Sequence, residues 1–373
     1  MSGLTADDAA HKLAVKLERL EAWERGDSHP TISQLRRLAD VYKRPLAAFF
    51  LPAAPADEPL PKDFRRFAPD ALALAPPELR IAVRAAHVRR QALLELYQEL
   101  DETPPAFKLK ARLHEDPEQV GTRVRDALSP QFPTTDGRIV FNAWRTAAEE
   151  AGLLVFQADA IALTEMRGLS LSEHPLPVVV LNIQDAYQAR TFTLLHEVAH
   201  IALGNGGMCL LDESGPNTPI QRTEVFCNHV AGAAVVPASL LLQELETPKR
   251  AVDELADDVL VTLARRYGVS SEVIARRLLT LGRVSAAFYQ RKRIEFQQRY
   301  ERLRSERSPG FAPPGVLAVA RNGRTFTRRV LDAYDEERIT TSDLADLLGV
   351  RLKHLDRIRR AVQSPAESEE EAA

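Results

Sequence analysis

His196-Glu197-Val198-Ala199-His200 sets two imidazoles four residues apart with a carboxylate between them. On a helix, positions i and i+4 share one face about one turn apart. Imidazoles so placed can hold one Zn2+, with the intervening Glu in reach of the metal's water. The chemistry this suits is hydrolysis. Zinc lowers the pKa of its water to about 7 and polarises a carbonyl, while the carboxylate takes the water proton and later passes it to a leaving amine. His196 and His200 are therefore candidate ligands and Glu197 the candidate base. A buried pair of neutral histidines around a Glu would otherwise need other partners.

A catalytic zinc usually keeps three protein ligands and one open position. The candidate third ligand is Glu224, which lies 24 residues after His200 on a second helix. Asn228, one turn later, is a candidate to hydrogen-bond a ligand. Other donors fit less well. His229 points about 100° away from Asn228, and His174 precedes Pro175 in a loop. Cys209 and Cys227 lack a C-x-x-C partner, and Cys227 reads as a small apolar helix residue. An extra donor to the oxyanion is also expected; the sequence does not identify it, and Arg190, six residues before His196, is not on the same face.

The elements that must position these groups follow from periodicity. Residues 187–195 lead into the histidines without Pro or Gly and with apolar residues at helical spacing, and Gly204 and Gly206-Gly207 end the run. Residues 222–234 read as the second helix, 144–152 as a helix leading into a strand at 153–156, and 177–182 as a buried strand. Residues 103–135 carry prolines at both ends and read as a crossing between elements. Helices are expected at 76–102, up to 263, at 271–281 and at 286–307, and around 325–362 with Thr340 as a cap. The fold class is mainly α (α+β). The domain expectation is a helical module at 1–52, a connecting region at 53–139, a catalytic domain with a small sheet at 140–285, a helical region at 286–362 and a disordered acidic tail at 363–373.

Composition bounds the partners. The 373 residues carry a net charge of -3 and 45% apolar content, which excludes a uniformly basic nucleic-acid coat. The two cysteines make no disulfide framework and suit a reducing cytosol. No signal-like start and no apolar stretch of about 18 residues is found, so a cytoplasmic, membrane-free protein is expected.

Residues 4–51 resemble the XRE/Cro-repressor helix–turn–helix family, through 4–13, Leu20-Glu21-Ala22-Trp23-Glu24-Arg25-Gly26, and His29-Pro30-Thr31 with Leu35 and Leu38-Ala39. The resemblance implies that 15–23 enter the DNA major groove, with Lys16, Arg19 and Arg25 as contacts. The family's first helix normally precedes the segment matching Leu4, where this sequence has three residues. Either the fold is incomplete or another segment covers the apolar face. Residues 1–50 hold eight Lys/Arg against seven Asp/Glu, a feeble charge for a DNA clamp. A protein-interaction or dimerisation module is the competing reading.

Residues 140–285 resemble the ImmA/IrrE zinc metallopeptidases. The resemblance rests on 190–200, on 224–231 closing with Val236-Pro237, and on Tyr267-Gly268-Val269-Ser270 followed by Arg276-Arg277-Leu278. It implies Zn2+ on His196, His200 and Glu224, with Glu197 as base. It also implies narrowly targeted proteolysis of a repressor or partner protein in a stress, mobile-element or toxin–antitoxin circuit. The expected partners are a protein substrate, DNA through the N-terminal module, and a second copy of the chain if it dimerises. The alternative is a DNA-binding regulator or antitoxin that uses the peptidase-like domain only to bind a partner.

Overall fold

A computed structural model describes residues 5–42, 46–51, 76–128, 130, 136–204, 207–209, 219–245, 255–306 and 313–363. The expected linker around 52–61, the loop at Gly215 and Pro216, Gly206, and all but the first residue of the acidic tail lie outside these. The chain divides into two units, residues 1–85 and 86–373.

The first unit is a set of short helices: α1 (Ala6–Leu13), α2 (Leu17–Arg25), α3 (Ile32–Tyr42) and a single 3-10 turn (Leu46–Phe50). Thr5 caps α1 by accepting from the Asp8 N–H at 3.1 Å. Ala14 then turns left-handed (φ 54°) and ends α1, and α2 starts at Leu17. Gly26 ends α2 at φ 80°. Ala9, Ala10, Leu13, Leu20 and Leu38 form the core of this unit.

The second unit contains the end of α4 (Pro77–Glu99), then α5 (Pro117–Leu128), α6 (Gly137–Glu150), β1 (Leu154–Ala158), β2 (Gly168–Leu171), β3 (Val178–Asn182), α7 (Tyr187–Ala202), β4 (Gly207–Cys209) and α8 (Pro219–Val235). There follow α9 (Ala238–Glu244), α10 (Asp257–Tyr267), α11 (Ser271–Thr280), α12 (Ala286–Glu306), α13 (Pro314–Asn322), α14 (Arg324–Asp335), α15 (Thr341–Leu348) and α16 (Leu355–Gln363). The sheet order is β1-β3-β2-β4. β1 runs parallel to β3, and β2 is antiparallel to both β3 and β4. The helices and the sheet make the mainly α, α+β architecture expected.

Four elements in this part of the chain differ from the sequence expectation. The crossing at 103–135 contains α5, whose first residue is Pro117. Proline at a helix start costs no hydrogen bond there, so it opens this helix instead of breaking one. Val120, Val124 and Leu128 on α5, and Phe107 before it, belong to the same core as α6, α7 and α8. The helix expected from 144 begins at Gly137, with Asp136 accepting from the Arg138 and Ile139 N–H groups. Two further strands, β2 and β4, flank the site.

α5 lies close against α8. A side chain at Gly121 would overlap the Ala233 methyl and sit 2.9 Å from the Val230 carbonyl oxygen. Glu118 on α5 clamps this packing. It accepts from both arms of the Arg277 guanidinium on α11, Nη2 at 2.5 Å, and lies 2.5 Å from His229 Nε2 on α8. The Arg277 side chain is 1% exposed. Burial raises the Glu118 pKa, but the bonds from Arg277 and His229 outweigh it and bring it to about 2. Glu118→Gln is expected to cost about 3 kcal/mol at pH 7, because it leaves a buried guanidinium without its counter-charge. A carboxylate with a lowered folded pKa stabilises above its ordinary value of 4.5, and the effect is lost as pH falls towards 2. Urea denaturation should therefore show the gap between wild type and variant closing over that range.

Candidate metal centre

α7 is buried at every position from Arg190 to Ala202. A helix buried all round is a core helix, and the polar groups inside it need partners. α8 packs along it and supplies them, as does β2. The structure brings His196, His200 and Glu224 into one cluster whose donor atoms all lie within 4.8 Å of one another. His196 Nε2 is 3.0 Å from His200 Nε2. Each Nε2 is 3.2 Å from one oxygen of Glu224. Tetrahedral ligands on bonds of about 2.0–2.1 Å stand about 3.3 Å apart, close to this triangle. Among the described residues it is the one such group of His, Cys, Asp and Glu. His174 and His229 are not in it, and the Cys209 side chain is outside the described residues.

Asn228, one turn beyond Glu224, lies 3.0 Å from His196 through Oδ1 and Nδ1. A carboxamide oxygen only accepts, so His196 carries its proton on Nδ1 and turns the Nε2 lone pair into the cluster. Two imidazole lone pairs 3.0 Å apart repel unless a cation or proton lies between them. The donor set, its spacing and the fixed tautomer together fit a divalent metal.

Glu197 is fully buried. Ser170 on β2 donates its hydroxyl to Glu197 Oε2 at 2.6 Å. Glu197 Oε1 is buried and has no hydrogen-bond partner. Burial pushes the Glu197 carboxyl above the usual range, against the pull of His200 and His196. Burial also raises Glu224, but its contacts with His196 and His200 outweigh it and bring it to about 2. Burial alone would lower the His200 imidazole, whereas its contacts with Cys227, Glu224 and Glu197 raise it. Cys227 is buried against His200, and burial pushes its thiol up.

Sequence reasoning missed Ser170 and Gly168, because a four-residue strand carries too little pattern to be seen. It read Cys227 as apolar packing, and its contact with His200 needs the α7–α8 geometry. Arg190 sits away from the cluster, hydrogen-bonded to Gln157 and 4.1 Å from the Tyr187 ring centre.

In the first unit, Lys16 is the N-cap of α2 and is exposed, as are Arg19 and Arg25. The expected contacts differ in availability. Arg19 lies 5.3 Å over the Trp23 ring. Arg25 pairs with Asp27 at 2.8 Å and Glu21 at 3.6 Å, which neutralises it. Val15, Leu17 and Trp23 pack against the core, so these three positions of 15–23 are turned away from any groove.

Residues 148–279 match the IrrE N-terminal-like domain family of M78 peptidases, and residues 1–49 match the helix-turn-helix family. The class is thus a helix–turn–helix module joined to a metallopeptidase-family domain. More particularly, the two matches give the ImmA/IrrE architecture inferred from the sequence motifs. No individual curated protein and no solved structure matches the chain. Among the described residues no single helix is long and apolar enough to cross a membrane.

Asn228→Ala frees His196 to rotate and change tautomer. It is expected to weaken zinc binding about 10–100-fold, measured by competition with a chromophoric chelator. Unchanged affinity would remove Asn228 from the site.

Proposed function

We propose that the chain is a cytosolic zinc-dependent endopeptidase coupled to transcriptional control, which cuts a specific repressor or partner protein. The observation that carries this reading is the convergence of His196, His200 and Glu224 beside a buried carboxylate oxygen, Glu197 Oε1, that has no partner. Zn2+ held by the three residues would supply a Lewis acid that acidifies water and polarises the scissile carbonyl.

The chain's own residues do the rest. His196 and His200 would hold the ion through Nε2, and Asn228 keeps the His196 ring turned so that Nε2 faces the cluster. Glu224 brings negative charge and stays ionised across the physiological range. Glu197 Oε1 accepts the proton of the attacking water and returns it to the leaving amine. Burial holds the Glu197 carboxyl above the usual range, the direction that favours taking up a proton. Complete burial of the base keeps bulk water from competing for that proton.

Glu197→Gln is expected to keep zinc and lose hydrolysis by at least about 100-fold. A pull-down with this variant from cells should hold an uncut protein that wild type cleaves in a chelator-sensitive way. Equal cleavage by wild type and variant sinks the mechanism.

The N-terminal module is proposed to read DNA through the start of α2. Binding to operator fragments is expected to fall steeply with salt. Replacing Lys16 and Arg19 by Ala should flatten the salt slope by about two phosphate contacts, while Arg25→Ala changes it little because Arg25 is already paired. Absence of any mobility shift at low salt favours the protein-interaction reading of this module.

A further inference from the structure

We infer that Ser170 is a positioning residue for Glu197, holding Oε2 so that Oε1 alone is presented to the metal cluster. The inference rests on the reading of Glu197 as the proton acceptor and adds the device that aims it. A glutamate side chain has three rotatable bonds and two equivalent oxygens, so a base on a helix needs something to fix which oxygen faces the reaction. β2 supplies this from one face. Ser170 and Gly168 are two residues apart and point the same way. At Ser170 the strand offers a donor, with Oγ 2.6 Å from Oε2, the length of a charge-assisted O–H···O bond. At Gly168 it offers nothing. A Cβ there would stand 3.2 Å from Glu197 Oε1 and 2.5 Å from the Thr193 methyl. The strand thus grips one oxygen and clears space beside the other.

The result is an asymmetric carboxylate inside the core. Ser170 and Glu197 are both fully buried, so the serine hydroxyl, and not bulk water, is the donor to Oε2. Oε1, left without a partner, carries the desolvation cost of an unmade hydrogen bond until a proton donor arrives. Ser170 keeps its own proton throughout, because an aliphatic alcohol is a far weaker acid than a carboxylic acid. Its bond to Oε2 can persist whether or not Oε1 is protonated. The arriving proton therefore lands on Oε1, and departs from it.

The test uses acetohydroxamate and the zinc-loaded full chain. Hydroxamates chelate the metal and hydrogen-bond their hydroxyl to the adjacent base, so their affinity reports where that base points without needing a substrate. Ser170→Ala is expected to weaken acetohydroxamate about tenfold while zinc affinity and Tm stay near wild type. Ser170→Cys, which keeps the volume but donates weakly, should weaken it similarly and covers the case in which the alanine variant does not fold. Ser170→Thr, which restores a hydroxyl, should bind within about twofold of wild type. A merely structural serine would change zinc affinity or Tm and leave hydroxamate selectivity alone. If Glu197→Gln weakens hydroxamate but Ser170→Ala and Ser170→Cys do not, the positioning role is overturned and the base assignment survives. If Glu197→Gln binds it like wild type, the base assignment itself falls.

Discussion

The structure turns on one constraint: three ionisable side chains, His196, Glu197 and His200, sit in a helix that is sealed from solvent from Arg190 to its C-terminal end. Buried charge is expensive unless neighbours answer it. Each polar atom of the set therefore dictates something about the elements around α7. Asn228 and Glu224 must come from α8 at one-turn spacing. Ser170 must come from a strand close enough to require glycine two residues earlier. The small sheet and the α7–α8 pair are the minimum scaffold that meets those demands.

The position of Glu224 in turn depends on how α8 is anchored along its axis. Its C-terminal carbonyls are gripped by arginines from two other helices. Arg125 on α5 donates to the Ala234 oxygen at 2.8 Å, and Arg277 on α11 donates to the Val236 oxygen at 2.8 Å. Cations at that end also oppose the helix dipole. With Glu118 tying Arg277 back to α5, the far end of α8 is fixed on two sides, three turns from the ligand it carries. The geometry of the His196, His200 and Glu224 cluster is thus partly set by contacts that touch none of the three.

The site was more legible in the sequence than the fold around it. Both histidines and the intervening Glu are a local pattern on one helix, and Glu224 and Asn228 share a face of the next, so spacing alone places them. β2, β4 and the start of α6 are short or glycine-bearing, and their identity comes from long-range pairing that no local window contains. α5 was obscured because Pro117 reads as a breaker until its position at the first turn is known. In the N-terminal module the availability of Arg25 was not legible, since its ion pairs depend on side-chain rotamers. Cys227 shows the same limit, being apolar by type but polar in contact.

The C-terminal helices also bear on the metal helix. Arg145 on α6 donates to the carbonyls of Val155 on β1 and Ala320 on α13, at 2.6 and 2.7 Å. Gln157 on β1 donates to that same Ala320 oxygen and accepts from Arg190 on α7. One carbonyl of α13 thus terminates a side-chain relay that begins on the helix carrying both histidines. Buried donors of this kind cannot be released one at a time without stranding their neighbours. Loss of the Ala320 carbonyl would strand donors on α6 and β1 and, through Gln157, disturb the partner of Arg190, so α13 is coupled energetically to the helix that carries both histidines.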